Sequence, residues 1–119
     1  MYEIFTYGRF EVPPENEDAF IQAWSEFASW TSNSPGAPRI RLARDVRNPG
    51  RFVSIGRWED AEAVRAWKSS DEFKQRLGPL VKLATDFEPT ELAVLRRVEG
   101  GHLETLTPPA DLQPIHAPT

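Results

Sequence analysis

The residues of this sequence best suited to chemistry are aromatic and cationic. The stretch GRWEDAEAVRAWKSSDEF, residues 56–73, sets Trp58 and Trp67 on either side of a helix start and closes on Phe73. Tyr7 and Arg9 share one face of an N-terminal strand, and Arg57 precedes Trp58. Aromatic walls with a few polar groups bind flat organic molecules. A guanidinium beside them can stabilise an enolate or phenolate. Each residue also has a plainer role. Trp24 reads as core. Trp58, at a strand end, fits core or a dimer contact as well as a pocket wall. Trp67 and Tyr7 divide between packing and pocket, and a buried Tyr7 hydroxyl would need a partner. Outward-facing strand arginines, Arg39 and Arg41 included, also serve as solvent-facing charge or in ion pairs across a dimer.

Other chemistries lack their residues. The chain has no cysteine, which removes disulfides, thiolate nucleophiles and cysteine-ligated metals. Its only histidines, His102 and His116, both fall in the C-terminal tail. No HExxH and no acids at ligand spacing are present, so no metal is expected. No glycine pattern cradles phosphate or a dinucleotide, and no cofactor is expected. Glu59, Asp60, Asp71 and Glu72 read as helix-start carboxylates facing solvent. His102 follows the last strand and is the one histidine placed to reach a pocket mouth, in its own or the other subunit. The general base stays unassigned. A formal net charge of −4 weighs against a nucleic-acid partner. No run is apolar enough to span a membrane, and the N-terminus lacks the order of a signal peptide. A soluble cytoplasmic protein is expected.

Residues 2–12 alternate as a strand with aromatics on both faces. Pro13 and Pro14 end it and lead into a helix, whose Phe20, Ala23, Trp24, Phe27 and Ala28 form one apolar stripe. TSNSPGAP breaks that helix. RNPG turns a hairpin between residues 39–46 and 51–58. Asp60 can cap a second helix carrying Ala63, Val64 and Trp67. Ser69 and Glu72 form a capping box for a new turn near Ser70, where Phe73 and Leu77 share a face. Gly78-Pro79 is expected to break this run, with LVKLA as a short third helix. Residues 91–98 are expected to be the last strand. The order β-α-β-β-α-β is α+β and ferredoxin-like, one domain over residues 1–99. The tail, 100–119, starts at Gly100-Gly101 and is proline-rich. It reads as extended or partner-wrapping, or equally as a poorly ordered terminus. Helices cover one face of such a sheet, and apolar residues on the other imply a homodimer through sheet-face packing.

The pattern W-E-D-x-E-A-(x)₃-W-x-x-S-x-E-F over residues 58–73 resembles the antibiotic biosynthesis monooxygenase family. The resemblance extends in element order over roughly residues 1–98 and implies a dimeric α+β barrel. The family includes cofactor-free quinone-forming monooxygenases acting on aromatic polyketides, and haem-degrading enzymes. Trp67 matches a helix tryptophan of the haem degraders. Leu77 stands where they carry a histidine iron ligand, and Gly8 where they carry an asparagine. Leucine cannot ligate iron, so haem degradation is not expected. The resemblance then implies a pocket between helices and sheet. In it, a small aromatic ligand of phenolic type loses a proton and passes an electron to oxygen. Tyr7, Trp58, Trp67 and Phe73 would supply the walls, and Arg9 or Arg57 the charge. Two alternatives stay open: a non-catalytic dimer that holds an aromatic ligand, and a polyketide cyclase, which needs no oxygen.

Overall fold

The computed structural model describes residues 2–36 and 38–108. His116 and the other residues from 109 onward lie outside the described residues. The strands β1 (Ile4–Glu11), β2 (Arg39–Arg44), β3 (Arg51–Trp58) and β4 (Asp86–Ala93) form one antiparallel sheet in the order β2-β3-β1-β4. The helices α1 (Glu17–Thr31), α2 (Ala61–Ser69) and α3 (Asp71–Leu83) connect them. This is the ferredoxin-like α+β arrangement. Among the described residues, no helix is long and apolar enough to cross a membrane.

Strand period decides what each face carries. Even-numbered residues of β1 and β3 face the helices. Ile4, Phe10, Phe52 and Trp58 join Phe20, Phe27, Val64, Trp67 and Leu80 in the core. Odd-numbered residues face away: Phe5 lies opposite Arg57, Tyr7 opposite Ile55, and Arg9 opposite Val53. The core holds two aromatic groups. Phe10 sits 5.0 Å from Phe20 and 4.5 Å from Phe87, ring centre to ring centre. Trp67 sits 4.9 Å from Trp58 and 4.7 Å from Phe73.

Local signals place the helix ends. The Asp60 carboxylate accepts the Glu62 backbone N–H at 2.9 Å and caps α2. The cap of α3 is Ser70 rather than Ser69. Its hydroxyl oxygen accepts the Phe73 N–H at 3.1 Å, while its O–H donates to the Trp67 carbonyl at 2.8 Å. One side chain therefore ends α2 and starts α3. Asn16, at the start of α1, donates instead to the Leu83 carbonyl at 3.1 Å, tying that end to the end of α3.

Three expectations are corrected. First, α3 runs through Gly78 and Pro79 without a break. An interior proline costs about 3 kcal/mol. Leu80 is fully buried and Leu77 and Leu83 pack against the core. A fully buried leucine is worth roughly 1.5–3 kcal/mol, so the three together offset that cost. Pro79 and Gln75 are both exposed, so water can serve the Gln75 carbonyl that proline leaves unpaired. Second, the fourth sheet strand is 86–93, not 91–98, and it includes Pro89. This strand is an edge, where a missing N–H is tolerated. Third, Gly100 and Gly101 do not open an extended tail. At φ 55° and 79° they turn a separate ribbon between β5 (Arg96–Glu99) and β6 (His102–Thr105). The boundary expected at 99/100 falls inside this hairpin. Leu106 beyond it is buried, and its N–H donates to the Leu95 carbonyl at 3.0 Å.

Candidate functional site

A cleft opens between the helices and the sheet, where the two aromatic groups meet. Thr6, Gly8 and Phe10 of β1 and Ser54 of β3 form its floor. Phe27, Trp67, Phe73 and Leu77 form its roof, and Phe87 and Pro89 of β4 close one side. Lys68 is the ammonium on this wall. With its mouth, the space is about 400 Å³, though its tight interior is only about 60 Å³. A two- or three-ring ligand therefore requires the aromatic side chains to part.

The walls are held from behind. Trp67 donates its indole N–H to the fully buried Thr31 hydroxyl at 3.0 Å. Trp58 donates to the Thr6 hydroxyl at 3.0 Å, and Trp24 to the Ser54 hydroxyl at 2.9 Å. Gly56 makes the Trp58 contact possible. A Cβ there would stand 2.5 Å from the Thr6 hydroxyl oxygen. The Lys68 ammonium pairs with Glu91 of β4 at 2.8 Å, and both side chains keep partial solvent access.

The expected site residues separate by strand parity. Trp67 and Phe73 line the cleft. Tyr7 borders it, but alternation sends its ring to the opposite face, so it offers backbone. Trp58 is fully buried behind Trp67 and is a core residue supporting Thr6. Arg9 and Arg57 lie on the far side of the sheet. Arg9 pairs with Asp86 at 2.8 Å, Glu11 at 3.0 Å and Glu88 at 3.1 Å. Hydrogen bonds to Asp86 and then Glu88 hold its guanidinium well above the ordinary pKa. Arg57 pairs with the buried Glu3, which also accepts from Arg97 at 3.3 Å. His102 is exposed at the start of β6, away from the cleft. Glu59, Asp60, Asp71 and Glu72 are exposed helix-start residues.

Lys68, Ser54 and Thr6 are the polar groups that sequence reading missed. Ser54 and Thr6 share the even parity of buried Phe52 and Phe10, a pattern that could have found them. Lys68, next to Trp67, carries no comparable signal. No carboxylate or imidazole lines the cleft among the described residues. Leu77 lines it without a donor atom, so the wall offers iron no ligand of the histidine kind.

A ferredoxin-like sheet with an aromatic cleft beneath its helices defines the class. A model of the antibiotic biosynthesis monooxygenase family matches residues 4–76, more than half of the chain. The chain belongs to that family. It is 28% identical over 102 residues to a 42.8 kDa protein in the whiE locus of Streptomyces coelicolor, covering 86% of this chain and 24% of the relative. The chain thus spans about a quarter of the length of that curated relative. Among solved structures it is similar to SnoaB, a cofactor-independent oxygenase from Streptomyces nogalater. The TM-score is 0.68 and the identity 24%, over 76% of this chain and 90% of SnoaB. It is also similar to a conserved protein from Methanosarcina mazei Go1, with TM-score 0.69 and 19% identity over 79% of this chain and 92% of the other. At these identities the solved structures speak to the fold.

Proposed function

We propose that the chain is a cofactor-independent monooxygenase acting on a phenolic, polyketide-like aromatic substrate, and that it works as a homodimer. The observation that carries this is the cleft itself: aromatic walls, hydroxyls on the floor and the Lys68 ammonium. Family membership supports it, as does the name of SnoaB, a cofactor-independent oxygenase.

The chemistry needs little from the protein. A deprotonated phenolic ring is electron-rich enough to pass one electron to O₂. The two radicals combine into a C–O bond, and a proton gives the hydroperoxide. The O–O bond then breaks as the carbon loses its remaining proton, leaving a carbonyl and water. For a ring CH₂, one oxygen atom enters the product and the other leaves as water, so no added reductant is needed. The walls orient the ring and exclude water. Lys68 stabilises the anion. With no carboxylate or imidazole on the described walls, the phenolic proton leaves to solvent at the mouth. The rate should therefore rise with pH as the substrate ionises.

The same missing base favours a second reading, a protein that holds an aromatic ligand without turning it over. Purified protein incubated with an anthrone under air and under nitrogen separates the two. The oxygenase reading expects conversion in air alone. Equal conversion in both atmospheres would overturn it, because oxygen would then not be a reactant. Binding without conversion would favour the ligand-holding protein.

The dimer reading rests on the outer sheet face. Phe5, Tyr7, Val53 and Ile55 lie together there, only half-buried. Two such faces packed together would close a barrel and remove this apolar surface from water. Light scattering that finds a monomer at micromolar concentration would contradict it.

A further inference from the structure

We infer that Ser54 and Thr6 form a donor floor that selects ring ligands bearing an acceptor oxygen, a carbonyl or phenolate, over the same rings without one. This rests on the cleft being the ligand site proposed above. A hydroxyl has one proton to donate and two lone pairs to accept with, whereas an indole N–H only donates. The Ser54 oxygen accepts from Trp24 at 2.9 Å and the Thr6 oxygen accepts from Trp58 at 3.0 Å. The direction of both bonds is therefore fixed, and both hydroxyl protons are left over. Neither hydroxyl donates to any described residue. Ser25, Ser29, Ser32 and Ser70 behave differently, each spending its proton on a backbone carbonyl.

Thr6 and Ser54 both line the cleft, so an acceptor oxygen on a ligand there is a partner these protons can reach. Ser54 lies directly across from Gly8, and Thr6 across from Gly56. Thr6 and Ser54 are thus diagonal neighbours, about 7 Å apart by ladder geometry, with Gly8 beside both under the edges of the Phe10 and Phe87 rings. Thr6 is 8% exposed, so its donor sits in a site with little competing water. A hydroxyl that accepts an indole hydrogen bond also becomes a better donor. A ring entering oxygen-first satisfies these donors. The same ring without oxygen leaves them buried and unpaired, and that difference is the source of selection.

Anthrone and 9,10-dihydroanthracene are the same tricycle with and without a carbonyl. Their binding is measured by equilibrium dialysis under nitrogen, where no turnover occurs. The wild-type protein should hold anthrone about tenfold more tightly. Ser54→Ala should remove most of that preference while leaving dihydroanthracene within about twofold, which also reports a folded cleft. Trp24→Phe, which keeps the hydroxyl but frees its orientation, should give an intermediate loss. Equal affinity of the wild-type protein for the two rings would overturn the inference, whatever the variants do. So would Ser54→Ala with the preference intact. Because no oxygen is present, these outcomes are independent of whether the protein is an oxygenase.

Discussion

Lys68 carries its charge next to Trp67, and that adjacency gives the cleft a cation without an arginine. Lys68→Gln keeps the length of the side chain and removes the charge. Turnover of a phenolic substrate should fall about 10- to 100-fold, and the urea midpoint should barely move, since a partly exposed pair to Glu91 is worth at most about 1 kcal/mol. A large loss of stability would show Lys68 to be structural instead. Gly56→Ala probes the layer behind the floor. Its Cβ would stand 2.5 Å from the Thr6 oxygen and 3.0 Å from the Trp58 indole nitrogen. Both are fixed by their mutual hydrogen bond, so the variant should lose about 1–3 kcal/mol in urea unfolding. Trp67 and Phe73 were legible as candidates because helical spacing put them on an inward face. Arg9 and Arg57 misled because β1 carries aromatics on both faces, so alternation alone does not say which face meets the helices. Lys68 was not legible, because a single polar residue on a helix has many uses, whereas the parity that Ser54 and Thr6 share with buried Phe52 and Phe10 marks them as inward-facing.

At the scale of elements, the hydrophobic period held where the punctuation residues misled. Pro79 reads as a stop, yet Leu77, Leu80 and Leu83 keep one face of α3 against the core. Replacing Pro79 by Ala restores the N–H to the helix and should raise stability by about 1–2 kcal/mol, the helix gain less the entropy returned to the unfolded chain. Thermal unfolding checks this, and a lower midpoint would mean that Pro79 relieves some strain in α3. Pro89 hid β4 in the same way, since a proline inside a strand is tolerated only at an edge and the sequence does not announce edges. The β5–β6 ribbon was missed because Gly-Gly signals a tight turn and a loose terminus alike. Its left-handed glycines and the ion pair of Arg97 with Glu104 at 2.7 Å show which.

At the scale of the molecule, one face of the sheet is committed to the cleft and the other to charge around an apolar centre. Ile55→Lys, at that centre and opposite Tyr7, should yield a folded monomer by light scattering if the outer face joins two copies. An unchanged dimer would place the interface elsewhere. The charges also set the response to acid. Arg51, then Arg9, holds the Glu11 carboxyl below its ordinary 4.5, Arg44 does the same for Glu17, and Arg97 for Glu104. Carboxylates depressed on folding stabilise fully above their unfolded value, and the gain disappears as pH falls through the folded value. Stability should be level from about pH 7 to about pH 5 and decline below about pH 4.5. A decline that begins near neutrality would point to other groups. The central claim, that this cleft lets a phenolic ring react directly with oxygen, is tested most directly by labelled oxygen gas. Purified protein, anthrone and isotopically labelled O₂ are incubated with a chelator and no added cofactor. One labelled atom per product molecule, in the newly formed carbonyl, is the predicted result. Product that forms without label, or no more product than in a protein-free control, would contradict it.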